Sequence, residues 1–377
     1  MNRQLYIDNI RLLIIVLVVL QHLAVTYSGF GGWYYIEPGE IGIVQTIVFG
    51  FHQAFTQGWF MGLLFLISGY FTPASYDKKG FGKFAKDRFI RLGLPAIIYM
   101  LVIHPILAIG ILGHRLGEAD GFLATYAEYL IGLHFIGGSG PLWFAVALLI
   151  FSLIYALLRI CVARKILTGD KNFPGFMRIL GLILLISVCA FLVRIVQPIG
   201  TDIFNMQLGY FSQYVILFIV GIYCKRCDWL EKLEYNAGRR WLICGISLGF
   251  VLFVVIMILG GALDGDLTPF DGGVTWQSAA YALWESFVAV AMAIGLIALF
   301  KEKFNTQSAF VKRLSANAFS VFVFHSIIIV PLTLLFSPVD LIPIVKFFIA
   351  AVVGIPLCFL ITDLTVQRIP FLRRLFA

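Results

Sequence analysis

Charge is scarce in this sequence. Only 13% of its 377 residues are Asp, Glu, Lys or Arg, against 60% hydrophobic residues and a mean hydropathy of +0.95. So little charge cannot clothe a water-soluble globular domain, and that class is excluded. Cysteine is also sparse: six residues, at 161, 189, 224, 227, 244 and 358, show no framework spacing, which excludes a disulfide-stapled secreted fold. Cys224 and Cys227 form a CxxC beside Lys225 and Arg226, but no second pair follows to complete a zinc site. Reduced thiols and no bound metal are the expectation. The chain further lacks low-complexity tracts, internal repeats and a small-residue cleavage site behind its first apolar segment, which is therefore read as a retained span. The net charge of +8 sits in loops rather than in one basic face, so nucleic acid is not the expected partner.

Long apolar runs are what the sequence has in abundance. A span needs about 20 mostly apolar residues, and ten stretches qualify: 10–28, 52–71, 93–113, 142–160, 178–197, 211–224, 241–260, 280–300, 316–336 and 344–364. With the N-terminus inside, 24 of the 28 Lys and Arg fall in cytoplasmic segments, leaving only Arg11, Arg115, Arg194 and Lys346 elsewhere. The bias of basic residues to the inner face sets orientation. The expected fold is an all-α integral membrane protein of about ten transmembrane helices with cytoplasmic N- and C-termini. Residues 1–377 read as a single polytopic unit with no appended soluble domain. Segment 122–136 is too short and too mixed for a span and reads as an interfacial or re-entrant helix.

Chemistry must then be sought among ionisable groups inside the bilayer, which are costly there and mark function or pairing. In RLLIIVLVVLQH, Arg11 and His22 are eleven positions apart, about 20° past three full helical turns, so both lie on one face roughly 16 Å apart. One face thus presents a cation near the inner surface and an imidazole beyond the midplane. Glu285 reaches a depth similar to that of His22, where a carboxylate–imidazole pair would raise the basicity of the ring. Arg194 lies near the same outer surface, and His325 near the middle of its span; each has the plainer reading of a buried polar group that ties helices together. At the inner surface Arg88 and Arg91, in RFIR, join Arg11. Converging guanidinium groups suit a phosphate-bearing ligand, although Arg11 has a ready partner in Asp8 and a basic helix end often just snorkels. Ser68 and Gly69 in FLISGYF are small enough for close helix approach. Trp143 in GPLWF stands where an interfacial aromatic, or a ring for stacking on a sugar, is expected.

Together, YIDNIR with its Arg11–x10–His22 spacing, FLISGYF, RFIR followed by LGLP, PLWF and FHSIII at 324–329 resemble the membrane acyltransferase-3 family, most closely its glucan biosynthesis protein C-like branch, over essentially the whole chain. The resemblance implies an enzyme of the bacterial cytoplasmic (inner) membrane. Such an enzyme moves an acyl group, commonly acetyl or succinyl, from cytoplasmic acyl-CoA to a hydroxyl of an extracytoplasmic carbohydrate. It implies acyl-CoA and a carbohydrate acceptor as partners beside the lipid bilayer. Arg11 and His22 match the family's essential pair, and Ser68, Gly69, Arg88 and Arg91 its supporting motifs; Glu285 matches no motif. On this reading Arg11, Arg88 and Arg91 hold the anionic part of CoA (acetyl-CoA or succinyl-CoA) while the pantetheine arm runs along the first span. His22, oriented by Glu285, then activates the acceptor, by direct transfer or through an acyl-histidine.

Two other classes remain compatible with the residues. A proton-coupled transporter or flippase of a glycan-related substrate would use His22 and Glu285 as its titrating pair, though the paired Gly/Pro-broken helices of inverted repeats are not evident. A scaffold for glycan synthesis would need neither residue.

Overall fold

The computed structural model describes residues 4–39, 41–117, 120–161 and 172–376. Four of the basic residues that set the expected orientation, Arg3, Arg164, Lys165 and Lys171, lie outside the described residues. Within them the chain is helical with no β-strand, apart from one isolated bridge between Ile203 and Met206. The main helices are α1 (Leu5–Ser28), α2 (Ile43–Gln57), α3 (Phe60–Arg88), α4 (Phe122–Ile131), α5 (Trp143–Cys161), α6 (Phe176–Val196), α7 (Phe211–Arg226), α8 (Tyr235–Leu259), α9 (Trp276–Lys303), α10 (Ala309–Phe336) and α11 (Pro343–Thr365).

Among the described residues, nine helical stretches are long and apolar enough to cross a membrane. The difference from ten has a simple source. The expected spans 52–71 and 93–113 both fall in one stretch, Ile43–Ile111, of 69 residues. Straight, it would reach about 100 Å, three times the thickness of a hydrocarbon core. It is broken instead: Gly80 adopts φ 70°, ψ 174°, a conformation that glycine alone takes easily, beside Lys78 and Lys79. Beyond it the helix is underwound into π-turns at Phe89–Gly93, Tyr99–Ile103 and Ile106–Ile111, which re-aim the side chains that follow. The short expected sixth span gains a leading turn of 3-10 helix and runs over Leu208–Arg226. The 122–136 segment forms the short helix α4, followed by a single 3-10 turn.

Helix α1 sits in the middle, packed against α2, α3, α9, α10 and α11. Its Ile10, Ile14, Val19 and Leu23 are completely buried. It ends at Gly29, φ 74°, a left-handed terminator. The chain then doubles back over the helix end, where the Glu37 amide donates to the Thr26 carbonyl at 2.9 Å. At its other end the Asn9 amide donates to the carbonyls of Phe304 and Thr306, fixing α1 to the α9–α10 connection. By contrast α8 lies on the periphery and faces outward along most of its apolar length.

The tightest crossing joins α3 to α7. A Cβ placed at Gly69 would sit 2.0 Å from the Phe218 carbonyl oxygen, and one at Gly221 would sit 2.0 Å from that of Leu66. Backbones touch at this crossing, so Gly69 has the close-approach role its size suggests. Gly69→Ala should therefore destabilise the protein by about 1–3 kcal/mol through overpacking, read as a lowered unfolding temperature in detergent micelles. Ser68→Ala, one residue away, should shift it far less; equal effects would remove the crossing as the cause.

Candidate active site

His22 projects from the last third of α1, partly buried, and its ring stacks on Trp33 with centroids 3.6 Å apart and planes 15° apart. Trp33 comes from the loop that returns over the helix end. On α10, His325 is completely buried, and its ring is 5.2 Å from that of His22 and 5.8 Å from that of Trp33, again nearly parallel. Three flat rings from three chain segments thus form one cluster.

The hydrogen bonds of His325 define its tautomer. Nδ1 lies 2.9 Å from the Phe322 carbonyl oxygen and 3.2 Å from that of Val321. Carbonyl oxygens only accept, so Nδ1 carries the hydrogen and the neutral ring keeps its lone pair on Nε2. That Nε2 is buried with no hydrogen-bond partner, and so is Nδ1 of His22. Buried nitrogens are normally satisfied, so two unpartnered ones in adjacent rings leave acceptor capacity for a bound group. What the arrangement offers chemically is a pair of proton-accepting imidazoles in an aromatic-walled place.

A hydroxyl chain steadies the loop that caps it. Ser326 on α10 hydrogen-bonds Tyr99 at 2.7 Å, Tyr99 hydrogen-bonds Tyr34 at 3.0 Å, and Tyr34 reaches Nδ1 of His104 at 2.7 Å. Tyr34 is the neighbour of Trp33 and packs edge-on against it. Burial, together with the neighbouring Tyr99, pushes the Tyr34 phenol well above its ordinary value, so it stays protonated at any physiological pH. Trp33, Tyr34, Tyr99 and Ser326 were not singled out by sequence reasoning; the glycine-flanked GGWYY after α1 and the FHSIII run are the signals that point to Trp33, Tyr34 and Ser326, and none points to Tyr99.

The pairing expected between His22 and Glu285 does not form. Glu285, 3% exposed on α9, forms its ion pair with Arg194, and its second oxygen has no partner. Depth along two helices matched, but their facing directions did not, and the completely buried guanidinium took the carboxylate. Arg194 also donates to the Gly209 carbonyl at 3.0 Å and is flanked by the rings of Tyr210 and Tyr281. The pair ties α6 to α9 and lies apart from the imidazole cluster in its bonding. Trp143 turns inward too: it packs against Tyr214, Phe211 and Phe65, with the nearest ring 5.6 Å away.

At the opposite end of α1, Arg11 is bridged to Asp8 at 3.5 Å and lies over the ring of Phe71, 5.0 Å from its centroid. Arg88 feels the charges of both Arg91 and Arg11, so the three guanidinium groups share one electrostatic neighbourhood. Three guanidinium groups against two nearby carboxylates, Asp8 and Asp87, leave a net positive charge where an anion is welcome. Between this end and His22 the same face of α1 carries Ile15 and Val18, 6% and 3% exposed, so the two ends are joined by packed apolar side chains rather than by an open cleft. Among the described residues no three His, Cys, Asp or Glu side chains gather as a metal-ligand set.

The assignment of Glu285 to a structural pair has a direct test. Glu285→Ala leaves an uncompensated buried guanidinium and should cost about 3–5 kcal/mol of stability, whereas Arg194→Met with Glu285→Met together should cost less than either single change. Unfolding temperatures of the four proteins check this; a single variant as stable as wild type would show that the pair does not tie the helices.

No curated protein and no solved structure matches the chain. The family model of the acyltransferase domain, acyltransferase 3, matches residues 4–363, which include every candidate site residue named above. The protein is a multi-pass membrane acyltransferase, and it belongs to the acyltransferase-3 family.

Proposed function

We propose that the protein transfers an acyl group from cytoplasmic acyl-CoA, with acetyl-CoA or succinyl-CoA as donor, to a hydroxyl of an extracytoplasmic carbohydrate, a cell-surface or periplasmic glucan being the first candidate. The observation that carries the proposal is the ring cluster of His22 and His325 with its two unpartnered, buried nitrogens, on the helix whose other end holds Arg11. The distribution of basic residues supports cytoplasmic termini, and the resemblance to the acyltransferase-3 family supports a bacterial inner-membrane location. The glucan biosynthesis protein C-like motifs support the glucan.

In the proposed reaction, Arg11, Arg88 and Arg91 bind the phosphates of CoA. The pantetheine arm enters along α1 as Ile15 and Val18 part, and brings the thioester to the imidazole cluster. His22 takes the proton of the acceptor hydroxyl, and the oxygen attacks the thioester carbonyl. The C–S bond then breaks, and the departing thiolate takes up the proton held by the imidazole, so that ester and free CoA leave with no net proton change. His325, with its hydrogen fixed on Nδ1 by two carbonyls, presents a second lone pair beside His22 and neither needs nor gains a charge. Trp33 closes the site against water, which would otherwise compete as acceptor.

General-base catalysis of this kind contributes about 100-fold to 10,000-fold. His22→Ala protein in liposomes, given acetyl-CoA or succinyl-CoA at one face and a glycan extract at the other, should release thiol at least about 100-fold more slowly than wild type. Thiol release at the wild-type rate would remove His22 from the mechanism. Substrate movement without any acyl-CoA would favour the transporter class.

A further inference from the structure

At the end of the bundle opposite the three arginines, a cavity of about 620 Å³ opens between the loop after α1 and the turn joining α10 to α11. Its volume is typical of small-molecule sites. One wall holds Tyr35 and Glu37; the other holds Ser337, Asp340 and Lys346. Lys346 is 5% exposed, and its ammonium donates to Glu37 at 2.6 Å and to the Ser337 carbonyl at 3.3 Å. The other oxygen of Glu37 is buried without a partner. The Ser337 hydroxyl donates to the Leu334 carbonyl at 2.9 Å and keeps its lone pairs as acceptors.

The loop that makes this wall is the loop that caps the imidazoles. Trp33 stacks on His22, and Tyr35 and Glu37 follow two and four residues later. An extended chain covers at most about 3.5 Å per residue, so Glu37 stands no more than about 14 Å from Trp33. The Glu37 amide is itself held on α1, one turn beyond His22, through the Thr26 carbonyl. A molecule seated in the cavity therefore lies within a short reach of the reacting centre.

We propose that this cavity is a second binding subsite for the acceptor, which holds a neutral, polyhydroxylated unit one or two units along the chain from the hydroxyl presented at His22. The inference rests on the acyl-transfer reading. Carboxylate acceptors, an ammonium donor and two hydroxyls stand beside the apolar surfaces of Pro338 and Pro343, the mixture that the hydroxyls and C–H faces of a sugar require. The lining has one more carboxylate than ammonium, so uronic or phosphorylated units are repelled and a neutral one is selected.

The test uses the full chain in nanodiscs and calorimetric titration with neutral gluco-hexasaccharides, α-linked and β-linked, and with a hexagalacturonate. At least one neutral probe should bind, and at least tenfold more tightly than the acidic one. Asp340→Asn, at an exposed turn where folding is undisturbed, should narrow that preference at least threefold, and Ser337→Ala should weaken the neutral probe. Binding of neither neutral probe, or titrations unchanged in both variants, overturns the subsite. The acyl-transfer reading fails separately: thiol release that is absent, or indifferent to His22→Ala, refutes it even where a hexasaccharide binds.

Discussion

Two imidazole nitrogens, Nδ1 of His22 and Nε2 of His325, are buried against each other's rings and against Trp33 with no hydrogen bond to satisfy them. The surroundings are arranged to sustain that cost. Two backbone carbonyls hold the hydrogen of His325 on the far nitrogen, and the Ser326–Tyr99–Tyr34–His104 chain keeps the capping loop in place. The π-turns of the second half of the Ile43–Ile111 stretch deliver Tyr99 and His104 to that chain. The helices bearing the two histidines pack directly on one another, so the cluster depends on α1 being the central helix of the bundle.

The same helix separates two chemistries by its own length. Cations gather at one end and proton acceptors toward the other, with the packed strip of Ile15 and Val18 between them. An acyl carrier with a charged head and a long uncharged arm fits that division, because the head stays where the guanidinium groups are and only the arm has to pass. Buried ion pairs elsewhere, above all Arg194 with Glu285, tie α6 to α9, which itself packs on α1.

Much of this was legible in the sequence because it depends on features that repeat locally. Hydropathy located the crossings, the eleven-residue spacing placed Arg11 and His22 on one face, and the size of Gly69 announced a close crossing. The failures share a different origin. Depth can be read along a helix, but the direction a residue faces toward a helix hundreds of residues away cannot. Glu285 was therefore matched by height to His22 when its partner is Arg194, and the rings of Phe65, Phe211 and Tyr214 that meet Trp143 were not foreseen. His325 showed no sign in the sequence that it meets His22, since nothing local encodes the α1–α10 contact. Trp33 is legible only after the left-handed turn at Gly29 is known, because that turn sends the loop back over the helix end.

The most direct measurement is affinity alkylation with bromoacetyl-CoA, whose reactive carbon takes the place of the acetyl group, followed by peptide mass spectrometry. The expected result is carboxymethylation-type labelling of His22 or His325 by displacement of bromide, abolished when Arg11 and Arg88 are both replaced by Ala and blocked by excess acetyl-CoA. Labelling confined to Cys161 or other cysteines, with both histidines unmodified, would contradict the claim that CoA held at the arginines brings its acyl end to the imidazole cluster.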